Sequence, residues 1–249
     1  MTAVRANALG VDRDRLRLAA GVAIASAAWA VTIGLEATNQ AAALHHDALL
    51  ENGPALPIAV GLFTGSWAVM LAAMMVPASL FVFARSASAA WALAFVVVWM
   101  GVGFVGFASD GLLHRTVDAS PWLAAHAWII AATVFAATGL YQFTPVKQRA
   151  LDRCRAAAHD GDAAGPGSAS ARSFAAGWRH GLDCVGSSGG LMLLLFAEGV
   201  ASLVPMILLS ALMAYEANRR HGLTAARLAG ILLILLAVNV TAGTGPAPG

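Results

Sequence analysis

IAVGLFTGSWAVMLAAMMVPASLFVF, residues 58–83, runs for 26 residues without a charged side chain. A bilayer hydrocarbon core about 30 Å thick needs roughly 20 apolar residues at helical rise. In lipid every backbone N–H and C=O must be satisfied inside the protein. The run lacks the alternation of apolar and polar residues that marks a barrel strand, so it predicts a membrane-spanning helix. The rest of the 249-residue chain matches it: 59% of residues are hydrophobic and 11% charged, with a mean hydropathy of +0.73. Soluble domains carry about 25% charged residues.

Working outward from this run, apolar stretches recur at about 18–35, 89–109, 122–143, 181–201, 204–217 and 226–241. With the opening run as the second, they predict an all-α polytopic bundle of about seven spans. The sixth is short for a full crossing. Residues 1–17 read as a cytoplasmic arm and 18–242 as the transmembrane domain. A polar stretch at about 144–179 reads as a cytoplasmic loop, flexible in its Gly/Ala/Ser-rich middle from 156 to 171. The Gly/Pro tail, 243–249, reads as disordered. Arg5, Arg13, Arg15 and Arg17 before an apolar stretch also resemble a signal peptide, but the span is long for one and no small-residue cleavage site follows.

Orientation follows from the basic residues, because cytoplasmic loops of membrane proteins are enriched in Lys and Arg. With seven spans and the N-terminus in the cytoplasm, fourteen of the fifteen Lys and Arg residues fall inside, and Arg115 alone falls outside. One span more or fewer would destroy this split. The expected location is therefore the inner (plasma) membrane, multi-pass, with the lipid bilayer as the first partner. Trp91, Trp122, Trp128 and Trp178 lie near span ends, as an interfacial aromatic belt requires. The net charge of +2 argues against nucleic acid as a partner. Cys154 and Cys184 both fall on or near the cytoplasmic side, where thiols stay reduced, so no structural disulfide is expected.

The residues able to carry chemistry are mostly soft. Trp67, Met70 and Met74 share one helical face, with Met75 beside it, and thioethers suit Cu(I). The alternative is that these methionines fill gaps between helices. Cys184, Ser188 and Met192 step by four along one side of the fifth span. Glu198 lies deep in that span, where an ionisable group is costly. Glu216, beside Arg219 and Arg220, reads as a surface charge, and His45, His46, Asp47 and Glu51 as solvated residues of an outer loop. His114 and His126 are isolated. Gly61/Gly65 and Gly186/Gly190 have the spacing that lets helices approach closely. HExxH, GxSxG, Walker A and CxxC signatures are absent, so no catalytic residues are assigned. The single lysine, Lys147, lies in the polar stretch, which excludes a retinal Schiff base within a span.

Three segments together resemble the DUF2182 family of predicted metal-binding integral membrane proteins. They are Trp67-Ala-Val-Met70-Leu-Ala-Ala-Met74-Met75-Val-Pro77; Tyr141-Gln142-Phe143-Thr144-Pro145-Val146-Lys147 with Leu151, Cys154 and Arg155; and Gly181-Leu182-Asp183-Cys184-Val185-Gly186 with Leu191-Met192. The resemblance implies soft-metal handling. It also implies a cysteine where Ala150 stands, Cys-Cys-Trp in place of Ser187-Ser188-Gly189, and a methionine near Ala201.

Together these observations predict a membrane protein that binds or passes a soft metal ion, copper above all. Met70, Met74, Met75, Cys184 and Met192 would be donors, and Cys154 a cytoplasmic acceptor. A membrane or periplasmic protein would be the partner. The alternative is a non-catalytic membrane scaffold or assembly partner that keeps the bundle without the metal, a reading favoured by the substituted cysteines.

Overall fold

The computed structural model describes residues 2–40, 49, 54–86, 88–157, 168–197 and 203–243. Among them are ten α-helices and no strand: α1 Thr2–Ala37, α2 Leu56–Ala78, α3 Leu80–Ser86, α4 Ala89–Ala119, α5 Pro121–Ala125, α6 Trp128–Tyr141, α7 Pro145–Ala157, α8 Ala169–Ala197, α9 Leu203–Asn218 and α10 Gly222–Thr241. The all-α bundle expected from the apolar runs is present. The spans predicted at 58–83 and 122–143 are each broken into two helices.

Pro77 explains the first break. It has no N–H to give to the carbonyl four residues back, that of Ala73. The Trp29 indole of α1 takes that carbonyl instead, at 3.0 Å. Helix α2 ends at Ala78, the Ser79 N–H closes the last turn onto Met75 O at 2.9 Å, and α3 starts afresh. The carbonyls of Pro77 and Ala78 both receive the Asn218 side-chain amide from the end of α9.

Pro145 ends one helix and begins another. At the first position of α7 its missing N–H costs nothing, and the Thr144 hydroxyl caps the turn by accepting from the Lys147 N–H at 3.3 Å. The segment read as a loop therefore contains a 13-residue helix. Its Lys147, Ala150, Leu151 and Cys154 are buried against the bundle, and α6 and α7 meet at 61°. Helix α8 begins at Ala169, inside the presumed loop; residues 158–167, the loop's centre, lie outside the described residues, as do His45, His46, Asp47, Glu51, Glu198 and 244–249.

Helix α8 is the axis of packing, with α4, α6, α7 and α9 against it, while α1 packs on α2 and α3, α2 on α9, and α6 on α10. Helices α4 and α8 meet closely at Gly177, where a Cβ would collide with the Trp91 backbone of α4. The glycine pairs named from spacing divide. At Gly186 and Gly190 a Cβ would press on Ala150 and on the Tyr141 ring, whereas at Gly61 and Gly65 it would meet nothing within 4 Å. Trp122 and Trp178 are exposed as a belt requires, and Trp128 partly so. Trp91 is buried and belongs to the core, which corrects its place in that belt.

Among the described residues four helical segments, residues 12–37 of α1 together with α2, α4 and α10, are long and apolar enough to cross a membrane. Counting the bent pair α6–α7 as one gives five. Helix α9, with 16 residues, is shorter than a crossing requires.

Glu216 corrects the surface reading. It is 1% exposed, and its Oε2 accepts from Lys147 Nζ of α7 at 2.6 Å. The same ammonium donates to the Ser187 carbonyl of α8. Arg155, two turns further along α7, donates to the Glu216 carbonyl at 2.6 Å and the Arg219 carbonyl at 3.1 Å, carbonyls that the C-terminus of α9 leaves without helical partners. A helix that reads as polar and solvated from composition is thus pinned to the bundle at two points.

Candidate metal centre

At the end of the bundle where α2 breaks, four elements converge on one small cavity. It is lined by Ser79, Cys154, His180, Cys184, Ser187 and Asn218, among others, and its free volume is close to the least that admits one water-sized particle. The break at Pro77 places Ser79 there, the capped start of α7 brings in Cys154, α8 supplies His180, Cys184 and Ser187 at one-turn intervals, and α9 ends there with Asn218.

Cys184 Sγ lies 3.7 Å from Met75 Sδ, a contact between α8 and α2, and 4.0 Å from Ser79 Oγ. Cys154 Sγ lies 3.7 Å from Ser187 Oγ, and the Ser187 hydroxyl donates to the Cys184 carbonyl at 3.0 Å. Both thiols are free and buried. Burial pushes the Cys154 thiol above its ordinary range, with the neighbouring Cys184 adding to the effect.

Of the six residues singled out from sequence, Met75, Cys184 and Cys154 meet at or beside this cavity. Met70, Met74 and Met192 are buried in the surrounding core and do not line it. Met206 and Met213 of α9, not anticipated, belong to the same core. Ser187 and Ser188, where the resemblance implies cysteines, line the cavity, and Ala150 is buried against Gly186.

His180 is the residue that reading the sequence missed. It stands one turn before Cys184 on α8 and is 5% exposed, and the four-residue step Cys184, Ser188, Met192 extended backwards leads to it. Its Nε2 lies 3.1 Å from Ser79 Oγ. The ring stacks on Trp91 and Phe95, with centroids 5.5 Å and 5.7 Å away. Its Nδ1 is buried and has no hydrogen-bond partner among the described residues.

Among the described residues no three His, Cys, Asp or Glu side chains gather into one ligand set. The soft donors at the cavity are thiol and thioether, which fit a soft cation such as Cu(I) better than a hard one. The fold and cavity define an all-helical, strongly apolar bundle with buried sulfur donors at one end. The chain belongs to the PpoB2 copper chaperone family, whose family model matches residues 64–240. The match covers all six sulfur residues named above and agrees with the DUF2182 resemblance. Neither the curated proteins nor the solved structures that were compared give a match.

Proposed function

We propose that this chain is a multi-pass protein of the inner membrane, N-terminus in the cytoplasm, that carries Cu(I) as cargo. Cys184 and Met75 receive the ion, Met70, Met74 and Met192 supply further thioethers along the bundle, and Cys154 is the thiol to which the ion passes on the cytoplasmic side. The observation that carries this reading is the 3.7 Å separation of Cys184 Sγ and Met75 Sδ. Two sulfurs bound to one ion at about 2.3 Å each stand about 4 Å apart at trigonal or tetrahedral angles. These two donors, from different helices, already have that spacing. Membership of a copper chaperone family and the arrangement of basic residues support the same picture. A membrane or periplasmic protein is the partner that such a chaperone serves.

The test is to load detergent-purified protein with Cu(I) under reducing conditions. Wild type should retain the metal through desalting, and a Met70/Met74/Met75 triple leucine variant should lose much of it. Retention of none by wild type overturns the reading.

A scaffold that has lost its metal is the second reading. It is favoured by the Ser187 and Ser188 hydroxyls at the cavity, which are poor partners for Cu(I). It predicts metal-free protein that co-purifies from native membranes with a stoichiometric partner.

A further inference from the structure

We infer that His180 is a third donor at the Cys184–Met75 centre, which makes it a mixed nitrogen and sulfur site. This rests on the copper reading above. His180 and Cys184 lie one turn apart on α8 and line the same cavity. A single hydroxyl, Ser79 Oγ, stands between them, 3.1 Å from the imidazole Nε2 and 4.0 Å from the thiol. Ser79 is there only because Pro77 breaks α2 at that level.

Among the described residues His180 Nδ1 has no hydrogen-bond partner. The ring is oriented instead by stacking on Trp91 and Phe95, so its position is set before any ion arrives. Imidazole suits copper as well as zinc, and a serine hydroxyl that yields its place leaves Nε2 on the thiol side of the ring. The sulfur donors alone make a two-coordinate site; the imidazole completes a three-coordinate one.

The experiment is copper X-ray absorption on the full-length, detergent-purified protein loaded with Cu(I), alongside competition with a chromophoric Cu(I) chelator. Wild type should show one nitrogen at about 2.0 Å together with sulfurs at about 2.3 Å. His180→Phe keeps the aromatic stack and His180→Gln keeps a polar group facing Ser79. Both should lose the nitrogen and weaken binding by about tenfold or more. An all-sulfur wild-type spectrum, or a nitrogen and an affinity that persist in both variants, overturns this inference and leaves the Cys184–Met75 reading standing. Failure of wild type to bind Cu(I) at all overturns both.

Discussion

Lys147 Nζ and Glu216 Oε2 form an ion pair of 2.6 Å with both side chains almost wholly withdrawn from the surface, at 0% and 2% exposure. The pair joins α7 to α9, and through the Ser187 carbonyl it also reaches the turn of α8 that lies between the two cysteines. Removing one partner of a buried pair leaves a charge with no compensation, at a cost of about 3–5 kcal/mol. Lys147→Met and Glu216→Leu should therefore each lower the thermal unfolding midpoint strongly. The double variant should lose much less than the sum of the two, as a double-mutant cycle in one detergent will show. Additive losses would mean that the two side chains act independently.

Only one of the three methionines on α2 has its sulfur in contact with a thiol. Met75→Leu conserves volume and should cost less than about 1.5 kcal/mol of stability, yet weaken Cu(I) binding by about tenfold, which corresponds to about 1.4 kcal/mol. Met70→Leu should weaken it less. Equal effects at the two positions, measured by chelator competition, would remove the special role of the 3.7 Å contact.

Cys154 and Cys184 are 7% and 3% exposed, and burial keeps Cys154 as the neutral thiol well above the pH at which a free cysteine ionises. The thiolate is the reactive form. Near pH 7, maleimide labelling of the native protein, followed by mass spectrometry, should be slow and should reach two labels per chain on denaturation. A metal that binds Cys154 must displace its proton, so Cu(I) affinity should rise with pH. A pH-independent affinity would exclude a protonated thiol from the donor set.

Gly177→Ala places a methyl group against the Trp91 backbone. Backbone cannot rotate away as a side chain can, so α4 and α8 must separate, at a cost of about 1–3 kcal/mol. Gly61→Ala meets nothing within 4 Å and should be neutral or slightly stabilising, given the better helix propensity of alanine. Thermal unfolding of the two variants side by side separates a helix contact from a glycine that only happens to have the right spacing.

In the proposed orientation, which puts fourteen of the fifteen Lys and Arg residues inside, reporter fusions at residue 160 should read as cytoplasmic. An external signal there would reverse the whole map.

Much of this was legible from the residues in order. Long uncharged runs at 58–83 and 89–109 demand helices because a backbone in lipid has nowhere else to place its hydrogen bonds. Residue chemistry alone marked Met70, Met74, Met75, Cys154, Cys184 and Met192 as candidate soft donors, without separating those at the cavity from those in the core. Spacing could not separate Gly186 from Gly61, since one-turn periodicity says which residues share a face and not what that face meets. Glu216 was misread for a related reason: its neighbours Arg219 and Arg220 are local, while the partner that buries it, Lys147, is 69 positions away. His180 was overlooked because its meaning lies in Ser79, 101 positions away. By itself the sequence determined the helical class, the positions of the apolar runs and the set of candidate sulfur donors, all set by local composition and short-range periodicity. Only the tertiary structure decided which of these sulfurs meet, that α7 is strapped to the bundle and that Ser79 stands between His180 and Cys184. Those are contacts between distant segments, brought together by the break at Pro77, by the packing of α7 and α9 against α8 and by that of α2 on α9.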